Sequence, residues 1–396
     1  MVEESRQHIL VVDDEEINRE TLEALLGDDY DITMCRNGAG ALAAARAAEA
    51  PDLILLDVVM PDMDGHAVLQ ALRADPATRD IPVIFITGLD SETAEEHGLA
   101  LGAVDYIAKP FRPAIVQARV HNHMARLAQY RELARTHDEL HLANQQILES
   151  LRYARRIQYA TLPERERIEG HLADIEIWWE PLHEVGGDYV WVEHLDGKML
   201  FIMADCTGHG VPGAFMTLII AASLDRLVHD RGLRRPAEIL VGLDEMVRTY
   251  LRQDRDQADT DHGLEAAACL WDPACGTLTV ASAGLTLLHG TRGDIRELRG
   301  ERVSLGDGSR PRITWLPEQE LRPLPGGAVY LFTDGLVHQV GEATGRLFGR
   351  GRLREALAKI ADQPLAEQVA HLRHTLAEYR GSEPRRDDIT LLAWRP

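Results

Sequence analysis

Residues 53–65, LILLDVVMPDMDG, contain the pattern that decides the fold of the first part of the chain. Four apolar residues, 53–56, end at the acidic Asp57, and a helical pattern follows over residues 65–74. A short apolar run that is bounded by turn residues and followed by a helix is typical of a βα unit. Because five such units follow one another between residues 8 and 112, we predict a doubly wound α/β domain with a five-stranded parallel sheet.

The other units are recognised in the same way. We predict strands at 8–12, 31–34, 53–56, 83–86 and 104–107, and helices at 15–26, 39–49, 65–74, 91–101 and from 113 onward.

A long helix is predicted after this domain, because residues 114–162 contain neither Gly nor Pro. Leucine-type residues recur there at every seventh position and form one row along the helix. A second row with the same spacing of seven residues contains the polar Asn144. This spacing is typical of a two-stranded parallel coiled coil, and it predicts a homodimer. A single helix that packs on a neighbouring domain is the alternative. The leucine-type row consists of Leu133, Leu140, Ile147 and Ala154.

The remainder of the chain groups its strands in blocks and its helices in pairs, which favours an α+β domain built as a layered antiparallel β-sandwich with flanking helices. We therefore divide the chain into residues 1–125, a helical linker at 126–163 and a second domain at 164–396. The predicted strands are 175–179, 188–193, 199–204, 265–271, 276–282, 285–289, 328–333 and 389–394, the predicted helices are 212–230, 236–252, 351–361 and 365–379, and a polar loop is predicted at 253–263.

Charge and composition exclude several classes of protein. The 396 residues carry 42 basic and 64 acidic side chains, a formal charge of −22. No large segment is basic enough to bind a phosphate backbone, so nucleic acid is not expected as a partner. The N-terminus lacks the features of a signal peptide, and the longest apolar run, 211–224, is too short for a membrane span. We expect a cytoplasmic protein that does not associate with membranes.

Five polar residues follow strands of the predicted parallel sheet: Asp13, Asp14, Asp57, Thr87 and Lys109. Because the carboxyl ends of parallel strands meet at one edge, we expect these side chains to form an acidic pocket that suits Mg²⁺. A carboxylate beside that ion, with an ammonium group opposite, can attack a phosphoryl donor. In the alternative interpretation, Asp14 and Asp57 merely cap helices.

Four stretches carry a resemblance to a known family: VVDDEE, LLDVVMPDMDG, FITG and DYIAKPF. Residues 8–112 resemble the CheY-like receiver domain of bacterial response regulators. The resemblance implies that Asp57 accepts the phosphoryl group and that Thr87 and Tyr106 are switch residues beside Lys109. It implies Mg²⁺ ligation by Asp13, Asp14, Asp57 and the carbonyl of Val59.

The second domain carries four aspartate motifs that are far apart in the sequence: GGDYV, MADCTGHGVPGAF, LFTDGLV and RRDDITLL. Several carboxylates without a His or Cys cluster favour Mg²⁺ or Mn²⁺ over zinc. Two such ions can activate a water molecule for attack on a phosphoryl group, which predicts a hydrolase with no covalent intermediate. Taken singly, each motif is more often a turn.

As an ordered set, these motifs resemble the PPM (protein phosphatase 2C-like) fold of the SpoIIE-type bacterial serine/threonine phosphatases. The resemblance implies two Mn²⁺ or Mg²⁺ ions, with Asp205 bridging both. It assigns Asp334 and Asp387 to one ion, Asp188 and the Cys206 carbonyl to the other, and leaves Asp388 as a weaker candidate. Leu285 and His338 depart from the pattern of many relatives, and the sequence identifies no basic residue that would hold the substrate phosphate.

Together the resemblances imply a two-component response regulator with a phosphatase output. The phosphoryl donor would be a sensor histidine kinase or phosphotransfer protein. The substrate would be a phosphoserine or phosphothreonine protein, such as an anti-sigma-factor antagonist with a STAS domain. A catalytically silent adaptor is the alternative, and the presence of all four metal-ligand aspartates counts against it. A DNA-binding response regulator is disfavoured, because residues 164–396 carry a charge of −10.

Overall fold

The computed structural model describes residues 6–88, 101–164, 168, 172, 174–253 and 263–396. Its internal contacts divide the chain between Asn144 and Gln145 into two compact units. The helix predicted over 91–101 lies outside the described residues except for its last position. The loop predicted at 253–263 lies outside them except for its two ends.

The first unit is built on a five-stranded parallel sheet in the order β2-β1-β3-β4-β5, as predicted. Strands β1 and β3 are buried almost throughout because helices cover both faces of the sheet. The elements are β1 (His8–Val12), α1 (Glu16–Leu26), β2 (Asp31–Cys35), α2 (Gly38–Ala45), β3 (Leu53–Asp57), α3 (Gly65–Ala74), β4 (Val83–Gly88) and β5 (Asp105–Lys109).

Helix α2 is shorter than the predicted 39–49. It ends at Ala45, and residues 46–50 are all exposed. Alanine favours a helix, but a further helical turn without packing contacts has too little stabilising free energy to form.

A helix of 47 residues, α4 (Pro113–Tyr159), follows the sheet as predicted. Its first turns pack on the first unit through Val116, Val120 and Met124. Further along, Leu133, Leu140 and Ile147 of the heptad row are 67%, 60% and 56% exposed.

The second unit contains two five-stranded antiparallel sheets, in the orders β13-β10-β9-β8-β7 and β12-β11-β14-β15-β6. Its elements are β6 (Asp174–Glu180), β7 (Asp188–Leu195), β8 (Lys198–Cys206), α5 (Gly210–Asp225), α6 (Pro236–Tyr250), β9 (Leu264–Asp272), β10 (Thr277–Ala283), β11 (Thr286–Thr291), β12 (Asp294–Arg299), β13 (Gln319–Leu321), β14 (Ala328–Phe332), α7 (Gly349–Ile360), α8 (Leu365–Arg380) and β15 (Ile389–Arg395).

Three apolar cores separate four layers in this unit. Residues from both sheets, with Phe201 stacked on Trp394, fill the interior between the sheets. Helices α5 and α6 cover the outer face of one sheet, and α7 and α8 cover the outer face of the other. The predicted layered sandwich with flanking helices is therefore confirmed.

Two strands were not predicted. β12 has the sequence DIRELR and β13 is three residues long, and both lie at sheet edges. Edge strands tolerate charged residues on both faces, so they lack the apolar signal of a buried strand.

The apolar helix after Asp205 is longer than the predicted apolar run. With a π-helical turn it extends over Gly210–Asp230, which by length and composition is enough to cross a membrane. Half of an 18-residue window in that stretch is buried inside the unit, where Met216, Ile220 and Leu224 pack against the sheet. It forms a core helix of the second unit.

Candidate functional sites

The first site lies at the carboxyl edge of the parallel sheet. Lys109 Nζ is 2.8 Å from Asp13 Oδ2 and 2.7 Å from Asp57 Oδ2, so one ammonium group contacts both carboxylates. Asp13 and Asp57 are buried, whereas Asp14 is exposed. The parallel register brings together residues that are 96 positions apart in the chain, as the sequence predicted.

Electrostatics in this pocket favour a bound cation. Burial and the charge of Asp13 raise the pKa of Asp57, against the opposing hydrogen bond from Lys109. Burial alone would lower the pKa of Lys109, but its hydrogen bonds with Asp13 and Asp57 outweigh it and raise the pKa. Asp13, Asp14 and Asp57 each offer an oxygen within 4.8 Å of the others, a spacing that suits a cation with oxygen ligands.

Neither Asp14 nor Asp57 caps a helix. Helix α3 is capped by Asp64, which accepts from the N–H of Ala67, and α1 begins after Glu15 without a side-chain cap. The capping alternative for the two aspartates is therefore wrong.

The remaining predicted receiver residues lie on or directly after strands β3, β4 and β5. Val59 is exposed after β3, and its N–H donates to Asp57 Oδ1 at 3.3 Å. Thr87 is buried at the end of β4, and its hydroxyl donates to the Gly88 carbonyl. Tyr106 lies on β5 with the Arg119 guanidinium 4.9 Å from its ring centre.

In the second unit, strand register assembles a row of carboxylates. Asp188 of β7 is paired with Asp205 of β8, and Asp205 is paired with Glu265 of β9. Opposite residues of antiparallel strands point to the same face, so three acids from three strands lie side by side. Glu265 was missed from the sequence, because nothing in its local pattern reveals its strand partner. The ASAG motif could have indicated it, because its Gly284 lies against the Glu265 side chain. A Cβ at Gly284 would lie 2.4 Å from that side chain.

Two further aspartates come from the other sheet. Asp334 begins a 3-10 turn after β14, and Asp387 precedes β15. Gly335 allows the two turns to approach, because a Cβ there would lie 1.9 Å from the Asp388 carbonyl oxygen and 3.2 Å from the Asp387 Cβ. The N–H of Asp334 points at Asp205 Oδ2 at 3.5 Å and so links the two sheets.

All of these acids except Asp188 converge on one open cavity of about 680 Å³, called here the phosphatase cavity after the activity predicted from the sequence. Asp205, Asp334 and Asp387 line it together with Cys206 and Glu265. Three arginines also line it: Arg302, Arg310 and Arg350. The sequence had provided no basic residue for this site.

Asp188 lies behind the cavity lining rather than in it. It is 2% exposed, and its Oδ2 accepts from the hydroxyls of Thr333 and Thr390 at 2.8 and 2.6 Å. Burial and the charge of Asp388 raise the pKa of Asp188 to about 8, although both hydroxyl contacts act in the opposite direction. Metal ligation by Asp188 would fall to its Oδ1.

Asp388 has a structural set of contacts. Its two oxygens accept from the N–H groups of Leu182 and Gly187, both at 2.6 Å, and the residue is 3% exposed. It thereby anchors the loop that leads into Asp188.

The two departures from the family pattern have different surroundings. Leu285 is buried between the two sheets, where it packs against other apolar residues. His338 lines the cavity, and its Nδ1 is 3.0 Å from Asp334 Oδ2.

The donor chemistry of the cavity fits divalent metal ions. Burial and the charges of Asp188, Asp334 and Asp387 raise the pKa of Asp205 well above its ordinary value. Burial also raises the pKa of Asp334, against the charge of His338. Carboxylates held this close to one another are stabilised by a cation that they share. Among the described residues, only the receiver acids form a trio within 4.8 Å, so the phosphatase acids are more widely spaced.

Comparison with known proteins finds a family match in each of the two parts of the chain. Residues 195–396, just over half of the chain, match the family described as Stage II sporulation protein E (SpoIIE). The chain belongs to the SpoIIE family. Among solved structures, the SiaA-PP2C domain of Pseudomonas aeruginosa is 35% identical with a TM-score of 0.58, and the match covers 64% of this chain and 98% of that domain.

This SpoIIE-family chain also carries a response regulator receiver domain, matched over residues 9–121. Response regulator PleD of Caulobacter vibrioides is 48% identical over 113 residues, and a probable cyclic di-GMP phosphodiesterase of Vibrio cholerae is 42% identical over 117 residues. The chain spans about a quarter of the length of each, 25% and 26%. The protein therefore combines a receiver with a PP2C-like phosphatase domain.

Proposed function

We propose that this protein is a two-component response regulator whose output is a metal-dependent protein serine/threonine phosphatase. The observation that carries the proposal is the convergence of Asp205, Asp334 and Asp387, from two different sheets, on one cavity. Hard-oxygen donors in such an arrangement suit Mg²⁺ or Mn²⁺.

In the proposed site, Asp205, Asp334 and Asp387 would hold two divalent ions together with Asp188 and the Cys206 carbonyl, and Asp205 would be a ligand shared by both ions. The ions would supply Lewis acidity and an activated water molecule. Asp388 serves as a positioning residue, because its oxygens hold the backbone before Asp188. His338 orients Asp334 through its 3.0 Å contact.

Control of the phosphatase by Asp57 is part of the same proposal. A sensor histidine kinase or phosphotransfer protein phosphorylates Asp57 in the Mg²⁺ pocket of Asp13, Asp14 and the Val59 carbonyl, and Lys109, Thr87 and Tyr106 respond to the added group. In the proposed homodimer, phosphorylation changes how the two receivers pair and how the heptad rows of the two α4 helices pair. The change then reaches helices α5 and α6, which directly follow Asp205. Such control requires a protein with two conformations whose equilibrium is shifted by the phosphoryl group.

The proposed substrate is a phosphoserine or phosphothreonine protein of a partner-switching system, such as an anti-sigma-factor antagonist with a STAS domain, in the cytoplasm. A catalytically silent adaptor would have no need for three acids in one cavity, so we favour the enzyme.

The test is release of phosphate from a phosphoserine peptide by the full chain with and without Mn²⁺. We expect hydrolysis that requires the metal, and a loss of at least 100-fold in Asp205→Asn, because removal of a bridging charge disables the centre (about 3 kcal/mol or more). Asp196→Asn, in an exposed hairpin turn, is the matched control and keeps wild-type rates. Equal rates for Asp205→Asn and wild type would contradict the proposal.

A further inference from the structure

A segment at the wall of the phosphatase cavity, residues 302–313, is held from beneath by a buried ion pair that no catalytic role explains. Asp244 and Arg248 lie one turn apart on α6, with side chains 0% and 5% exposed, and Arg248 Nε is 3.0 Å from Asp244 Oδ1. A buried ion pair costs desolvation and is seldom kept for stability alone. Its remaining contacts show what it holds.

All of those contacts go to the backbone of the wall segment. Asp244 accepts from the N–H of Gly306 at 2.7 Å and of Ile313 at 3.2 Å. Arg248 donates to the carbonyls of Arg310 and Pro311 at 3.2 and 3.3 Å. Four hydrogen bonds to one pair thus fix the segment from Gly306 to its C-terminal end at Ile313.

Other contacts with the region of α6 reinforce this fixation. The Gln253 side chain, just beyond α6, accepts from the N–H of Gly308 at 3.1 Å. Gly306 has a φ of +72°, and a Cβ there would lie 2.4 Å from a methyl group of Val247. The segment is therefore packed tightly on the helix, and its side chains project from a rigid base.

The side chain that this base presents to the cavity is Arg310. Its side chain is 57% exposed, contacts Asp307 at 3.1 Å through Nε, and lines the cavity together with Arg302. Asp307 also accepts from the N–H and hydroxyl of Ser309, so it keeps partners if Arg310 is replaced. Arg350 lines the same cavity and lies near Glu297. The cavity wall thus carries cations above an acidic floor, in a protein with a net charge of −22.

We propose that residues 302–313 form a preformed docking wall for acidic residues that flank the phosphorylated side chain of a protein substrate. Arg310 is the specificity-determining residue, and Asp244 and Arg248 are positioning residues that hold it at the cavity. The inference rests on the proposed phosphatase activity and deepens it by assigning the charge of the substrate sequence. Charge complementarity supports it, because guanidinium groups on a fixed backbone bind carboxylates with defined geometry.

The test compares two phosphoserine peptides that differ only in having Glu or Gln beside the phosphoserine, with the full chain and Mn²⁺. Wild type is expected to prefer the Glu peptide by about threefold to fivefold in kcat/KM, the range for a partly exposed ion pair. The preference lies in KM and weakens at high salt. Arg310→Gln reduces the preference to about one. Arg312→Gln keeps it, since Arg312 is similarly exposed on the same segment but pairs with Glu245 outside this cavity.

The positioning role is tested with Asp244→Leu/Arg248→Met, which replaces the pair by apolar groups of similar size. The exchange rates of the Gly306 and Ile313 amides rise, and the Glu preference is lost through KM while kcat for the Gln peptide changes less than twofold. If this variant does not fold, Arg248→Lys, which keeps the charge but cannot reach both carbonyls, is expected to lose part of the preference.

Equal kcat/KM values for the two peptides in wild type would overturn the inference, as would an unchanged preference in Arg310→Gln. An equal rise of KM for both peptides in Arg310→Gln would also overturn it, because it would place the arginine on the phosphoryl group. Failure of wild type to hydrolyse either peptide would instead contradict the proposed function.

Discussion

Asp188 and Asp205 face each other directly across the β7–β8 pair, although like charges at opposed positions destabilise a sheet. Glu265 continues the row on β9. Repulsion between these carboxylates destabilises the folded protein unless a cation binds between them. The strand register therefore indicates a cation site at this position.

The repulsion predicts how stability depends on pH without metal. Burial raises the pKa values of Asp188, to about 8, and of Asp205, so the folded state holds protons that the unfolded state releases. This stabilisation is complete below the ordinary carboxyl pKa and is lost as the pH rises toward 8. In thermal melts with a chelator, the second unit should melt at a lower temperature at pH 8 than at pH 5.

Asp205→Asn removes one charge of the row, so without metal at pH 8 it should melt about 3 °C above wild type, as expected for roughly 1 kcal/mol. Mn²⁺ should raise the melting temperature of wild type and have little effect on the variant, since a ligand that binds only the folded state stabilises it. A wild-type melting temperature that responds to neither pH nor Mn²⁺ would count against a shared cation site.

Asp388 is predicted to act through structure. Asp388→Asn replaces one of two oxygens with an N–H₂ group that faces a backbone N–H, at Leu182 or at Gly187. Loss of a buried, charge-assisted hydrogen bond should lower the free energy of unfolding by about 1–3 kcal/mol in urea titrations. Asp362→Asn, in an exposed ion pair, is the control and should change it by less than about 1 kcal/mol. An unaltered unfolding curve for Asp388→Asn would remove this assignment.

Coupling between the receiver and the phosphatase is tested with beryllofluoride, which mimics the phosphoryl group on Asp57. Turnover of a phosphoserine peptide by wild type should change severalfold when the mimic binds, because the added group biases a two-state element. Asp57→Asn retains a similar shape but cannot be phosphorylated, and its turnover should not respond. The same rate for wild type with and without the mimic would contradict the coupling.

Pairing through α4 is tested by two substitutions on one helix. Leu140, in the heptad row, and Leu142, two positions further on and outside it, are 60% and 58% exposed. Leu140→Lys should shift sedimentation toward a monomer, because a charge at a core position of a coiled coil is costly. Leu142→Lys should leave the mass unchanged. Equal behaviour of both variants would argue against the predicted seam.

Much of the fold followed from the sequence, since periodicity locates buried elements. The apolar runs that end at Asp13 and Asp57 gave the sheet and its acidic edge. The charged strand β12 could not be predicted from its sequence pattern, because an edge strand needs no apolar face. Parallel topology forces the carboxyl ends of strands together, which is why Lys109 could be placed beside Asp57.

The antiparallel domain was harder to predict from local patterns. Glu265 reaches the cavity only through its register with Asp205, and Arg310 only through the bonds of its segment to Asp244 and Arg248. Both are long-range relationships that leave no spacing signal in the sequence. Resemblance to a family could suggest Asp388 as a ligand, but only coordinates place its oxygens on Leu182 and Gly187.

We propose that carboxylates from two sheets share metal ions in the phosphatase cavity, and the most direct test is a crystal structure of the full chain grown with Mn²⁺. We predict two anomalous scattering peaks in that cavity, both in contact with Asp205, with Asp334 and Asp387 on one of them. Peaks elsewhere, or an empty cavity at saturating Mn²⁺, would contradict the account.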